Sequence, residues 1–280
     1  MKLSDFAAQY AAQRDVCEEY VEQIAVVVRS FDRHLGHAAR FDDLTADAVN
    51  SWLSSLRVGG LAPGTRHSRR RVILTLWQAA ADRDMVSEPR RRLIAQPRRR
   101  DRLVRAWSED EVCRLLVAAE QLSGPLGATG IDAGLYWSSY VRAAWDTGLR
   151  GCDLRSLERG WISPTGRLQI VQHKTGGRLT VALRRSTLDA IARSFPPDRR
   201  LIWPRWCCLR YWRVQARRLV RSAGLIGSLG QLRAASGTAV ERAHPGRGHE
   251  HLGNSRRVFE RHYLDPLAVA DPPLPPELTG

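Results

Sequence analysis

The chain has 280 residues, is 43% hydrophobic and carries 44 Lys and Arg against 29 Asp and Glu, which gives a formal net charge of +15. An apolar fraction of this size can form a core, which argues against a disordered chain, and five cysteines without a CxxC pair argue against a disulfide scaffold or a structural zinc site. Without a signal peptide or a membrane-length apolar segment we expect a cytoplasmic, nucleoid-associated protein, and a pI of about 10.8 favours a polyanionic partner, most simply nucleic acid.

The N-terminal hundred residues are predicted to be helical. Apolar residues at roughly helical spacing predict one helix from Ser4 to about Arg29. Thr45 is a suitable N-cap for a second helix that extends to Leu56. Pro63, which suits the first helical positions, begins a third helix that extends to about Met85.

A basic linker is predicted to follow these helices. Between residues 66 and 105 the sequence contains thirteen arginines and four acidic residues. Such a cluster between two predicted domains favours a clamp that closes around duplex DNA, with an ordinary solvated helix face or a nuclear-targeting segment as the alternative. The arginines that we expect to contact DNA are Arg66, Arg69, Arg70, Arg71, Arg98, Arg99 and Arg100.

A second domain is predicted to begin at Ser108. Ser108 and Glu111 match an S-x-x-E capping box in front of an apolar-periodic segment. A further helix is predicted from about Ile131 to Thr147, with Gly148 as its stop signal. Ser186 is predicted to open another helix, and most of the chain from there to about Tyr263 has helical spacing.

Short strands are predicted between these helices. They are expected at Trp161–Ile162, Leu168–Val171 and Leu179–Leu183, and the last two form a β-hairpin with Lys174 at its tip. The chain contains two lysines, Lys2 and Lys174, against 42 arginines. Because a lysine can lose its proton where an arginine cannot, Lys174 is a candidate for proton transfer; the alternative is a lysine retained by chance.

Several segments, in order along the chain, resemble the motifs of the tyrosine recombinase (phage integrase) family. TGLRGCDL at 147–154 resembles the first arginine box, and Lys174 in its hairpin resembles the catalytic lysine. Gln231-Leu232-Arg233 resembles the end of the H-x-L-R box. His251-Leu252-Gly253-Asn254 resembles the LGH box, and Tyr263 follows Asn254 by nine residues, where the nucleophilic tyrosine belongs.

The resemblance covers essentially the whole chain and implies its fold class. We expect a mainly α protein with a small β-sheet. Its domains would be a helical, SAM-like core-binding domain over 1–88, a basic linker over 89–107, an α+β tyrosine recombinase catalytic domain over 108–265 and a proline-rich tail over 266–280.

The resemblance also implies a site-specific recombinase or integrase that works through a 3′-phosphotyrosyl intermediate. Tyr263 would attack the phosphorus, Arg150 and Arg233 would bind its non-bridging oxygens, and Lys174 would protonate the departing 5′-oxygen. Asp153 would orient Arg150 or cap a helix. Since one phosphodiester replaces another, no metal or ATP is needed. The partners would be double-stranded DNA and, on synapsed sites, further copies in a homotetramer of a chain that is monomeric when free.

The sequence departs from the family pattern at two positions. Gly230 occupies the place of the histidine in the H-x-L-R box, and Asn254 replaces the usual His or Trp, although its amide can still donate a hydrogen bond to phosphate. We expect a nearby histidine, His249, His251 or His262, or a water, to take part of the base role, with His251 supporting the catalytic groups. We favour a working enzyme because the nucleophile and the three cations remain.

Two other functions share much of this pattern. A recombinase-derived protein that binds DNA without cleaving it would tolerate Gly230 and Asn254. A type IB topoisomerase would use the same chemistry, but the compact N-terminal helical unit favours a recombinase. In the tail, Leu267 and Val269 could dock on a neighbouring protomer, or the segment could be a frayed terminus.

Overall fold

A computed structural model divides the chain into two compact units, residues 1–102 and 103–280. The boundary between the units lies within the segment predicted as a linker, 89–107. The structure describes residues 1–14, 16, 18–98, 103–127, 130–195, 199–203 and 206–269. Of the arginines expected to contact DNA, Arg99 and Arg100 lie outside the described residues, as does the tail beyond residue 269.

The expected fold class is confirmed: the protein is mainly α with a small antiparallel sheet. None of the described helices is long and apolar enough to cross a membrane. In chain order, the helices are α1 (Leu3–Gln13), α2 (Glu18–Leu35), α3 (Ala46–Val58), α4 (Pro63–Ala81), α5 (Glu109–Glu120), α6 (Ala133–Thr147), α7 (Gly151–Arg155), α8 (Arg185–Ser194), α9 (Leu209–Ser222), α10 (Gln231–Ala243), α11 (Gly248–Leu252) and α12 (Arg256–His262), and the strands are β1 (Arg167–Val171) and β2 (Arg178–Ala182).

The prediction of one long N-terminal helix is wrong, because the segment folds as α1 and α2. Phe6 of α1 and Phe31 of α2 are both completely buried in the same core. A straight helix rises about 1.5 Å per residue, so an uninterrupted one would hold these two rings almost 40 Å apart, about the diameter of a small domain or more. Burial of both rings therefore requires a turn between them.

The other two helices of the first unit form nearly as predicted. The hydroxyl of Thr45 accepts a hydrogen bond from the amide of Ala48 at 3.2 Å, which is the expected N-cap of α3. α4 begins at Pro63 but ends at Ala81 rather than Met85. Asp84 adopts a left-handed φ of +56°, and this conformation stops the helix.

The second unit is built around aromatic residues of α6. Ser108 and Glu111 form the predicted capping box at the start of α5. Gly148 ends α6 as predicted, with a φ of +58°. In the core, Tyr140 packs against the rings of Trp203 and Trp212 at centroid distances of 5.7 and 5.5 Å. This core supports the face of α6 that leads into the TGLR segment.

β1 and β2 form the predicted hairpin, with Leu168 opposite Val181 and Ile170 opposite Leu179. The strand predicted at Trp161–Ile162 is wrong. Arg159–Trp161 is a 3-10 turn, and Ile162 makes a single bridge to Leu168. The chain reverses immediately afterwards, at the turn closed by the hydrogen bond from Gly166 N to Ser163 O, so there is no room for a longer pairing.

Candidate active site

Tyr263 lies directly after the last residue of α12. Its amide donates to Phe259 O at 2.9 Å, and its carbonyl accepts from the Thr238 hydroxyl at 3.2 Å. The same hydroxyl accepts from the amide of Asp265 at 3.2 Å, and the buried Asp265 carboxylate binds the amide of Ala106 at 2.9 Å. The backbone on both sides of the half-buried phenol is therefore fixed to α10 and to the segment before α5.

Arg233 of α10 lies against the ring of Tyr263. Its side chain is buried, with Cζ 4.8 Å from the ring centroid. Nη1 donates to Gly148 O at 2.6 Å and Nη2 donates to Leu252 O at 2.8 Å. The Arg233 guanidinium thus contacts three parts of the chain: the TGLR segment at Gly148, the segment 251–254 at Leu252, and the ring of Tyr263. Its buried Nε has no hydrogen-bond partner among the described residues.

Arg150 is the second arginine at the site. Its Nη1 donates to Gln172 Oε1 at 3.0 Å, and its Nη2 donates to Asn254 Oδ1 at 3.1 Å. These bonds orient the Asn254 amide so that Nδ2 faces away from Arg150, and this buried nitrogen also lacks a partner in the described part of the chain. Two buried donors without acceptors, on Arg233 and Asn254, are suited to an anionic ligand.

The charges of the two arginines act on the phenol. Burial alone would raise the pKa of Tyr263, but the charges of Arg233 and Arg150 and their hydrogen bonding to the phenol oxygen outweigh it and lower that pKa below its ordinary value. Burial in turn lowers the pKa of Arg233. The site therefore stabilises a phenolate, which is the reactive form of a tyrosine nucleophile.

A cavity of about 470 Å³ opens beside the phenol. The described residues that line it include no Asp or Glu. Its cationic side chains are Arg150, Arg155, Arg213, Arg217 and Arg233. A cavity surrounded by positive charge and lined by a tyrosine fits a phosphodiester far better than it fits a cation or a neutral metabolite.

Lys174 occupies the turn between β1 and β2, at the tip of the hairpin as predicted. Its side chain is exposed and makes no hydrogen bond or ion pair with the described residues. The turn reaches the arginines through Gln172, which binds Arg150 and precedes Lys174 by two residues. The Lys174 ammonium therefore lies two residues along the chain from Gln172, which binds Arg150, and it has no partner among the described residues.

Asp153 makes no hydrogen bond or ion pair with Arg150 among the described residues. Its buried Oδ1 accepts from the amide of His173 at 2.9 Å and from His173 Nδ1 at 3.2 Å. Asp153 lies in the first turn of α7, where a carboxylate favours the helix N-terminus. It therefore holds the hairpin turn next to Lys174.

His251 lies beneath the Gly148 turn, and its contacts are with the surrounding protein. The Ser236 hydroxyl donates to Trp145 O at 2.6 Å and so accepts from His251 Nε2, 2.7 Å away. Burial, followed by the charge of Arg233, lowers the pKa of His251 to about 4. His251 is therefore neutral at physiological pH and serves as a donor to Ser236.

This depressed pKa predicts how stability depends on pH. An unfolded chain protonates His251 below about pH 6.5, whereas the folded protein resists protonation until about pH 4. The free energy of unfolding should therefore fall as the pH drops through this window, by up to about 3 kcal/mol from this residue. His251→Asn should flatten that part of the pH dependence in chemical denaturation, whereas replacing the exposed His262 by Asn should not. Equal slopes in both variants would contradict the assignment.

Gln172 is a site residue that the sequence reasoning missed. It is 1% exposed and binds Arg150, Thr175 and Leu252. The sequence did contain a signal for this residue. Leu168 and Ile170 face inward, and Gln172 follows Ile170 by two residues, so the alternation of the strand predicts that its side chain is buried as well. A buried amide at such a position needs hydrogen-bond partners.

The predicted DNA-contacting arginines of the first unit fall into two groups. Arg66, Arg69 and Arg70 are half-buried and bind within the unit. Arg66 Nε donates to Leu61 O at 3.1 Å, Arg69 Nη1 to Ser30 Oγ at 2.9 Å, and Arg70 Nη2 to Ile94 O at 3.2 Å. Burial lowers the pKa of Arg69 and of Arg70. Arg71 and Arg98 are exposed, and they remain the better candidates for contacts with phosphates.

Solved structures with this fold include lambda integrase, as a dimer bound to a COC′ core site (15% identity over 98% of this chain and 99% of that one, TM-score 0.72). A lambda integrase tetramer bound to a Holliday junction matches at 17% identity over 90% and 76% of the two chains, with a TM-score of 0.68. The XerH site-specific recombinase, bound to a palindromic difH substrate in a post-cleavage complex, matches at 15% identity over 89% and 77%, with a TM-score of 0.65. No protein-family model and no curated protein matches the sequence. The chain has the tyrosine recombinase fold.

Proposed function

We propose that this chain, with its tyrosine recombinase fold, is a site-specific DNA recombinase that cleaves and rejoins strands through Tyr263. The observation that carries the proposal is the convergence of Arg233 and Arg150 on the phenol of Tyr263, which lowers its pKa, beside a cavity without acidic residues in its described lining. This arrangement supplies a nucleophile and charge neutralisation at one place.

In the proposed reaction each bond that forms replaces one that breaks, so no cofactor is needed. The phenol of Tyr263 gives its proton to water, its oxygen forms a bond to phosphorus, and the bond from phosphorus to the 5′-oxygen breaks. Arg150 and Arg233 stabilise the charge on the non-bridging oxygens, and the ammonium of Lys174 gives its proton to the departing oxygen. Attack by a 5′-hydroxyl reverses these steps, and in recombination that hydroxyl comes from another duplex.

The absence of a histidine at position 230 is compatible with this chemistry. A base is needed only to the extent that the phenol holds its proton, and the two arginines already lower the pKa of Tyr263. Asn254 offers the unpartnered Nδ2 as a hydrogen-bond donor to a phosphate oxygen. We therefore propose Arg150, Lys174, Arg233, Asn254 and Tyr263 as the catalytic set, with Asp153 and His251 as supports.

The proposed partner is double-stranded DNA, with a homotetramer on synapsed sites. The net charge of +15 and the exposed Arg71 and Arg98 favour a polyanion. Structures of the same fold hold DNA as a dimer and as a tetramer.

Recovery of a covalent protein–DNA adduct tests the proposal. The full chain is incubated with genomic DNA, covalent complexes are precipitated under denaturing conditions, and the attached 3′ ends are sequenced. A nicked duplex of the recovered sequence then traps the intermediate, because the short strand diffuses away before religation. We expect a 3′ adduct that peptide mapping assigns to Tyr263.

The alternatives give different results in the same series of experiments. Tight DNA binding without any adduct would leave a protein that binds DNA but does not cleave it, which the loss of the histidine at Gly230 favours. An adduct accompanied by relaxation of single supercoiled circles, without exchange between two sites, would indicate a type IB topoisomerase. Strand exchange between two copies of the recovered site supports the recombinase.

A further inference from the structure

The hairpin turn that carries Lys174 is anchored on its first two residues. The amide of Gln172 donates to Gly177 O at 2.9 Å, and its carbonyl accepts from the amide of Gly176 at 2.8 Å. His173 is held by the buried Asp153 through two hydrogen bonds. Lys174 itself is exposed and makes no hydrogen bond with the described residues, so its position depends on these anchors.

The side-chain amide of Gln172 forms hydrogen bonds with three different segments of the chain. Oε1 accepts from Arg150 Nη1 at 3.0 Å and from the Thr175 hydroxyl at 2.9 Å. Nε2 donates to Leu252 O at 3.0 Å. Because the guanidinium can only donate and the carbonyl can only accept, the orientation of the amide is determined by its partners.

Packing leaves this amide little freedom to move. Gln172 is 1% exposed, and Gly253 has a left-handed φ of +61° directly above it. A Cβ atom at position 253 would lie 2.9 Å from Gln172 Nε2, so the glycine makes room for the amide. A buried amide held in this way transmits a displacement of one partner to the others.

We propose that Gln172 is a positioning residue that couples Arg150 to the turn carrying Lys174. The inference rests on the proposed function. In that reaction Arg150 acts on a non-bridging oxygen and Lys174 on the 5′-oxygen of the same phosphate, so the two cations must hold a fixed distance from each other. The bonds of Gln172 to Arg150 and to Thr175, the residue after Lys174, provide that link through one side chain.

The test compares two nicked duplexes that differ in one atom. One has the ordinary 5′-oxygen at the scissile phosphate, and the other has sulfur there. A thiolate leaves without a proton because its conjugate acid is far more acidic than an alcohol, so the sulfur duplex does not need Lys174. The loss caused by Lys174→Ala should be largely removed with this substrate, which calibrates the comparison.

Gln172→Met keeps the length of the side chain and removes its three hydrogen bonds. We expect adduct formation on the oxygen duplex to slow by about 10²-fold, the cost of a displacement on the order of 1 Å. On the sulfur duplex at least tenfold of this loss should be recovered. Gln169→Met, at an exposed position three residues earlier on β1, should keep the wild-type rate on both duplexes.

Thr175→Val provides a second variant in case Gln172→Met does not fold. It removes the hydroxyl that donates to Gln172 Oε1 and accepts from the Gly177 amide at 3.4 Å, and it leaves the bonds of Gln172 to Arg150 and Leu252 in place. At this exposed position it should give a smaller loss that is relieved by sulfur in the same way. Equal losses on the two duplexes, or no loss in either variant, would overturn the role of Gln172. Failure of the wild-type chain to form an adduct on either duplex would instead defeat the proposed function.

Discussion

Replacing Tyr263 by phenylalanine should abolish the covalent protein–DNA adduct and leave the affinity for DNA nearly unchanged. The substitution removes one oxygen atom and keeps the ring, so the packing of Arg233 over that ring, 4.8 Å from its centroid, is preserved. The backbone contacts of the residue, to Phe259 and Thr238, do not involve the hydroxyl. The chemical step alone should therefore be lost.

Two measurements check this expectation. Denaturing gels with the nicked duplex should show no adduct above background for Tyr263→Phe, while gel-shift titrations give a dissociation constant close to that of the wild type. Tyr211→Phe is the matched control, since Tyr211 lies on α9 in the same unit with its side chain 47% exposed. It should form adduct at the wild-type rate. A residual adduct in Tyr263→Phe at the same DNA position would assign the nucleophile to another residue.

The order of the motifs singled out the arginines and the tyrosine of the candidate site. It did not predict the hydrogen bonds that hold these side chains in place. Arg233 donates to the carbonyls of Gly148 and Leu252, which are 85 and 19 residues away in sequence. Backbone carbonyls carry no residue signature, so no pattern of side chains indicates these bonds. The same applies to Asp153, whose partner His173 is set by the fold.

Local structure was predictable where a specific residue ends or begins an element. Thr45, Ser108 and Gly148 cap or stop helices through their own chemistry, and all three do so as expected. The break between α1 and α2 was missed because helical periodicity continues through it. The turn there is required by the burial of Phe6 and Phe31 in one core, a tertiary demand that overrides local preference.

Gln172 and Gly230 show two different limits of sequence reasoning. The role of Gln172 can be recognised only from the register of β1. The alternation of apolar residues along the strand suggests that register, but the family motifs do not include Gln172. Gly230 was identified as a departure from the family pattern, and its consequence depends on the space around it. In the structure a Cβ added at Gly230 meets only Ser228 Oγ, at 3.4 Å, and the position lines the cavity beside Tyr263.

Gly230→His should therefore raise the rate of adduct formation, on the order of 10²-fold, which is what a positioned general base contributes. Gly230 has right-handed φ and ψ of −61° and −21°, so a residue with a side chain adopts this conformation without strain. The new imidazole would enter a cavity that Arg150, Arg233 and Tyr263 also line, within the surroundings of the phenol.

The control and the pH dependence distinguish a base from a gain in stability. Gly230→Ala fills the same Cβ position without supplying a base, so it should leave the rate of the reaction unchanged. In Gly230→His the added rate should disappear at acidic pH, where the imidazole becomes protonated and can no longer accept the phenol proton. Because the guanidinium groups that line the cavity lower the pKa of an imidazole placed there, this loss should occur at a lower pH than for an ordinary histidine. A Gly230→His variant no faster than Gly230→Ala would mean that the arginines, by lowering the pKa of Tyr263, already make a base unnecessary. A faster variant would mean that removal of the phenol proton limits the rate of the wild-type chain. The glycine that stands in place of the family's histidine would then be the reason for that lower rate.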